Sequence, residues 1–171
     1  PGNYTRFLMD PTDRRLEPGD IIWADAGCSV NGYWSDFNRI AAVDAASPEQ
    51  RKAYRVVREL TSEILDKIRP GVPVSELAAE NARAHQRRGI AVPGNIPGRI
   101  GHGSGLDMTE PPSVAAFDHT PLQAGMVIHI EPKMIYDYGP FQLEEVVAVT
   151  DAGYEFLSPR APAALPLTGR G

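Results

Sequence analysis

Residues 19–43 read GDIIWADAGCSVNGYWSDFNRIAAV. The runs "GDIIWADAG" (19–27) and "GYWSDFNRIAAV" (32–43) are short and rich in β-branched and aromatic residues, and Asn31 with Gly32 marks a turn between them. Such a pattern predicts an antiparallel hairpin. Each limb carries an aspartate among apolar neighbours, Asp25 and Asp36, so the two carboxylates can face each other across the pair. A carboxylate inside a buried strand costs several kcal/mol unless it is paired or bound to a cation. Either acid alone is equally well explained as a strand-end residue facing solvent.

Outward from the hairpin the period of the sequence changes. Ser47, Pro48 and Gln50 form an N-cap, a proline at the first helical position and a capping-box partner. Ala53, Val57, Leu60, Ile64 and Ile68 follow at helical spacing until "RPG" stops the run. A second helix is expected from about Ser75 through Leu77, Ala78 and Ala82 to Arg88, with Gly89 closing it. The stretch 92–121 is rich in Gly, Pro and Ser and reads mostly as loop around short extended pieces. Two further strand regions follow, "GMVIHIEPKMIYDYG" and "FQLEEVVAVTDAGYEFL". No internal repeat or second-domain linker interrupts residues 1–171, which are expected to form one domain.

At 171 residues, 42% apolar and 23% charged, the composition is that of a globular protein with one core. A formal charge of −5 with no run of Lys or Arg argues against a nucleic-acid or anionic-membrane partner. The single cysteine, Cys28, rules out an internal disulfide and fits a reducing, cytoplasmic setting. The apolar runs are too short to cross a bilayer, and no leader pattern stands at the start. A chain opening "PGNYTRF" without Met is expected to be a piece of a longer one.

Residues 101–106, GHGSGL, strip the bulk from around one imidazole, His102. A rigidly presented, exposed ring nitrogen is one use of such a loop, and a flexible turn with an incidental histidine is the other. The acids break the tie. Glu131 ends the apolar run "MVIHIE" and Glu144 lies in "FQLEEVVAV", repeating the pattern of Asp25 and Asp36. Four carboxylates in strand regions plus one imidazole suit Mn, Co, Fe or Zn, and carry enough charge for two divalent ions.

Together "LEPGDIIWADAG", "GYWSDFNR", "IGHGSGLDMTEPP", "VIHIEPKMIY" and "LEEVVAVTDAG" resemble, in order and approximate spacing, the catalytic half of the methionine aminopeptidase, aminopeptidase P and prolidase superfamily. The "EPP" after the histidine and the "EP" at Glu131 look most like the Xaa-Pro peptidase branch. The resemblance implies an α/β pita-bread (creatinase/aminopeptidase) fold, here partial and without the family's N-terminal segment, with a mixed, mainly antiparallel sheet and two long helices. It implies five metal ligands, Asp25, Asp36, His102, Glu131 and Glu144. Two divalent ions, manganese first with cobalt, zinc or iron as alternatives, would share Asp36 and Glu144 and bridge a hydroxide that attacks a scissile carbonyl. Glu131 would act as general base and then acid. Glu144 is preferred to Glu145 because it keeps the motif's frame, although Gln142 stands where that motif has a basic residue.

Two imidazoles usual in these peptidases are replaced. Thr109 stands where the second histidine touches the substrate carbonyl, and Leu8 where another precedes the first aspartate. Thr109 can still donate one hydrogen bond to a developing oxyanion. The expected activity is therefore hydrolysis of an N-terminal Xaa-Pro bond in a small peptide. Alternatives are a creatinase-like hydrolase or lyase of small non-peptide substrates, or a catalytically silent interaction module. A homodimer is expected.

Other residues have simpler readings. Cys28 is a small strand-end residue rather than a nucleophile. His129 shares a strand face with Val127 and Glu131, so it lines the pocket or is a satisfied core histidine. His85 and His119 read as solvated, and Tyr33, Trp34 and Phe37 as core. Asp107 and Glu110 are candidates for orienting His102.

Overall fold

The computed structural model describes residues 12–91 and 98–169, so Leu8 lies outside the described residues. Its first element is the expected hairpin: β1 (Ile21–Val30) pairs antiparallel with β2 (Tyr33–Val43), closed by Val30 opposite Tyr33. Asn31 at φ 52° and Gly32 at φ 88° supply the two left-handed residues that a tight two-residue hairpin turn requires.

Two helices follow. The first, α1 (Pro48–Leu65), is capped as expected: the Ser47 side chain accepts from the Gln50 N–H while the Gln50 side chain accepts from the Ser47 N–H. The second, α2 (Val74–Arg87), starts after Pro73 and ends as Gly89 turns to φ 63°. Then come β3 (Arg99–Gly103), β4 (Glu110–Ala115), β5 (Val127–Ile130), β6 (Lys133–Tyr136), β7 (Gly139–Gln142), β8 (Glu145–Val149), β9 (Tyr154–Phe156) and β10 (Leu167–Thr168).

The strands form three sheets: β1-β2-β10, β4-β3-β5-β8-β9 and β6-β7. The β10–β2 pairing is parallel and the other ladders are antiparallel, which is the mixed, mainly antiparallel α/β architecture expected. Helix α1 spans two core clusters. Its Ala53, Tyr54, Val57 and Leu60 pack with Ile21, Ile40, Met134 and Phe141, while Ile64 and Leu65 pack with Leu77, Ile128, Ile130 and Val147. One helix thus ties the hairpin to the five-stranded sheet.

Several expectations are corrected. The described part of the stretch 92–121 is not among them: it is loop around two short strands, β3 and β4, as its composition suggests. The outer half of the hairpin, Ala24–Val30, is exposed rather than buried, and Tyr33 and Trp34 are exposed rather than core. His85 is 1% exposed, not solvated, because α2 turns it inward and its Nδ1 donates to the Asn81 carbonyl. His119 is near the surface as expected, bonded to the Ser75 hydroxyl.

The helices also meet through charge. Glu80, buried on α2, accepts from Arg83 and Arg87, and Arg87 with Arg88 reaches Glu63 on α1. Burial alone would raise the Glu80 carboxyl, but hydrogen bonds from Arg87 and Arg83 outweigh it and hold the group below the ordinary carboxylate range. A carboxyl depressed on folding stabilises the fold above its unfolded pKa and loses that contribution as the pH falls through its folded value. Glu80→Gln is expected to cost about 1–2 kcal/mol at neutral pH, the arginines being largely solvated. It should also flatten the fall in stability between about pH 5 and about pH 3. Urea unfolding of both chains across that window reads the difference; parallel curves would remove Glu80 from the acid transition.

Candidate metal centre

The sheet geometry gathers the acids from four places. In the β1–β2 register Asp25 lies opposite Asn38 and Gly27 opposite Asp36, so the two aspartates are diagonal neighbours on one face rather than a directly facing pair. Glu144 enters from the junction of β7 and β8, and one carboxylate oxygen from each of Asp25, Asp36 and Glu144 lies within 4.8 Å of the others. From the five-stranded sheet His102 brings Nε2 to 3.6 Å from Asp36 Oδ2 and 3.7 Å from Glu131 Oε1. The five residues singled out in the sequence therefore converge.

His102 is not the exposed loop residue its glycines suggested. It sits on β3, 2% exposed, between β4 and β5. Its flanking glycines serve close approach: a Cβ on Gly101 would stand 1.9 Å from the His129 carbonyl oxygen, and one on Gly103 2.6 Å from that of Pro111. Neither glycine has a positive φ. His102 Nδ1 donates to the Gly103 carbonyl at 2.9 Å, which directs Nε2 toward the acids. Asp107 and Glu110 bond each other instead, the Asp107 N–H donating to Glu110 Oε1. Among the described residues no hydrogen bond or ion pair joins either of them to His102, so the orienting role anticipated for them is not seen.

Glu144 and Glu145 part company. The Glu144 carboxylate accepts from His129 Nδ1 at 2.7 Å and Asn38 Nδ2 at 3.2 Å, inside the cluster. Glu145 turns away to Arg39 and the Ala161 N–H. Gln142 donates to Glu131 Oε2 at 2.6 Å, so an amide braces Glu131 where the motif has a basic residue. Thr109 is exposed between β3 and β4, and among the described residues no hydrogen bond or ion pair joins it to the cluster. Asn38 was missed in the sequence, although its place two residues after Asp36 puts it on the same strand face. Cys28 is exposed, facing Ser35 across the hairpin.

The electrostatics show what the cluster lacks by itself. Burial, then Asp36 and Asp25, pushes the Glu144 carboxyl up to about 8. Burial, then Glu144, pushes Glu131 up to about 7. Asp25 is raised by burial and by Asp36, while His102 holds Asp36 low. His102 itself is raised by Asp36, by its bond to Gly103 and by Glu131, against its burial. Near neutral pH the cluster therefore resists full ionisation, and added positive charge would favour it. Hard oxygen donors with one imidazole are a donor set suited to divalent metal, so the residues fit such ions.

The sequence model of metallopeptidase family M24 matches residues 3–151. The Xaa-Pro dipeptidase of Pyrococcus furiosus is 32% identical over 148 residues, 86% of this chain and 42% of that protein's length. Among solved structures, the dipeptidase PepE from Mycobacterium ulcerans superimposes with a TM-score of 0.83 at 30% identity, covering 93% of this chain and 43% of the other. The prolidase from Pyrococcus furiosus gives 0.80 at 31% identity, covering 88% and 44%. The chain spans less than half the length of these relatives.

Proposed function

Since this chain belongs to metallopeptidase family M24 and carries part of its pita-bread fold, we propose that it is the metal-binding half of an Xaa-Pro peptidase. The observation that supports this most is the meeting of Asp25, Asp36 and Glu144 with His102, and of His102 with Glu131, in one cluster. Those five residues would hold two divalent ions, manganese by preference. Bound there, such ions act as Lewis acids that lower the pKa of water and polarise a carbonyl.

The chain's own residues do the rest. Glu131, braced by Gln142, takes the proton from the attacking water and returns it to the leaving amine. His102, fixed by Gly103, keeps Nε2 toward the ligand set. Asp25 and Asp36, on the partly open hairpin, leave the cluster accessible to a small peptide.

The test is release of free amino acid from Xaa-Pro dipeptides and matched Xaa-Ala dipeptides, with and without Mn(II), by the chain and by Glu131→Gln. Expected is Mn-dependent cleavage favouring proline, reduced at least about 100-fold in the variant. Mn-dependent cleavage without preference for proline, or cleavage undiminished in Glu131→Gln, would overturn this reading. A second reading, a creatinase-like enzyme on small non-peptide substrates, is favoured by the exposed Thr109, which supplies no imidazole. Turnover of creatine in the same assay would move the assignment there.

A further inference from the structure

His129 has no part in the ligand set above, yet it is the most enclosed ionisable side chain beside it, at 0% exposure. It lies on β5 directly opposite His102 on β3, and the two rings stack with centroids 4.8 Å apart and planes 15° apart. Both of its nitrogens are engaged: Nδ1 with Glu144 Oε1 at 2.7 Å and Nε2 with the Ser104 hydroxyl at 2.8 Å. Ser104 belongs to the GHGSGL run and follows the last residue of β3, so the run that presents His102 also supports the neighbouring ring.

A nitrogen of His129 also comes within 4.8 Å of ligand atoms of His102 and Glu144, which raises the alternative that it binds metal directly. To do so it would have to give up one of two short hydrogen bonds. The arrangement is instead that of an outer partner. When Glu144 is a carboxylate, Nδ1–H must be the donor, Nε2 then carries the lone pair, and the Ser104 O–H donates to it. Asn38 donates to the other Glu144 oxygen, Oε2. The carboxylate is thereby held at both oxygens, one bond from each sheet, with its remaining lone pairs directed to the cluster.

We propose that His129, with its tautomer set by Ser104, is a positioning residue that orients Glu144 for metal binding. The proposal rests on the reading of Glu144 as a metal ligand. Outer partners of this kind set ligand orientation and basicity, and their loss typically weakens metal binding by about 10- to 100-fold.

The test is titration calorimetry with Mn(II) alone, on the wild-type chain and on His129→Leu, His129→Asn and Ser104→Ala. The Asn amide reproduces the Nδ1 donor but not the Nε2 acceptor. Leu removes both. Expected is a loss of about 10- to 100-fold in affinity for His129→Leu, a smaller loss for Ser104→Ala, and recovery of most of the affinity in His129→Asn. A purely structural role would lower the unfolding midpoint in EDTA without separating Asn from Leu in affinity. If His129→Leu fails to fold, the Ser104→Ala and His129→Asn affinities still decide the matter.

Wild-type affinity retained in both Ser104→Ala and His129→Leu, or in Ser104→Ala where Leu does not fold, would overturn the proposal. Loss in His129→Asn as deep as in His129→Leu, or below Ser104→Ala where Leu does not fold, would overturn it too: with EDTA midpoints unchanged the imidazole itself is a ligand, and with lowered midpoints its role is structural. Absence of Mn(II) binding by the wild-type chain would instead refute the underlying reading of the site.

Discussion

An Asp36→Asn chain is expected to keep its fold and lose its metal. Asp36 stands at the centre of the cluster: its carboxylate lies within reach of Asp25 and Glu144 on one side, and Oδ2 is 3.6 Å from His102 Nε2 on the other. The substitution keeps shape but removes one negative charge and one ligand oxygen, so divalent affinity should fall by more than about 100-fold, beyond the loss of an outer partner. Metal content after dialysis, measured by elemental analysis, should drop from about two ions per chain toward none. Thermal unfolding supplies an independent readout. Mn(II) at about 100 times its Kd should stabilise the wild-type chain by about 2.7 kcal/mol. That gain should be absent in the variant, while its midpoint in EDTA stays close to wild type, because Asp36 is only half-buried and packs no core. A variant that keeps the wild-type metal content would exclude Asp36 from the ligand set.

The individual elements of this centre were legible because each rests on local chemistry. Asn31-Gly32 demands a tight hairpin, Ser47 and Gln50 close a capping box, and acids interrupting apolar strands signal a cation. What escaped was set by packing between distant strands. The glycines around His102 fit a loop as well as a strand, and only the position of β5 shows that they admit a neighbouring backbone. Tyr33 and Trp34 look like core in sequence, but no described element covers the hairpin tip, so they remain exposed. His85 looked solvated because of Arg87 and Arg88 beside it, whereas those side chains leave the helix toward Glu63 and the ring turns inward. Glu144 and Glu145 are adjacent in sequence, and their opposite roles follow from Arg39 and Ala161, which capture one and leave the other to His129 and Asn38.

The role of Gly101 follows from the same packing, and its replacement should have the largest effect on the fold. A Cβ at this position would lie 1.9 Å from the His129 carbonyl oxygen and 3.0 Å from its carbon, where ordinary contact begins near 3.4 Å. The obstacle is backbone in a paired strand, not the end of a flexible side chain, so β3 and β5 must separate. Those strands lie in the middle of the sheet order β4-β3-β5-β8-β9, with Ile128 and Ile130 of β5 fully buried against the helices. Gly101→Ala is therefore expected to cost about 3 kcal/mol or more, the range of severe core overpacking. Since His102 and His129 face each other across this pair, any chain that still folds should also lose Mn(II) affinity. Gly98→Ala is the matched control: it lies just outside β3, nothing stands within 4 Å of its added Cβ, and its effect should stay within about 0.5 kcal/mol. Urea unfolding midpoints of the two variants, read beside their Mn(II) isotherms, separate close approach from chain flexibility. If flexibility were the reason for the glycines, both substitutions would cost alike. If strand contact is the reason, Gly101→Ala falls alone, and the bare backbone around His102 is what lets two strands approach closely enough to bring that imidazole to the acids.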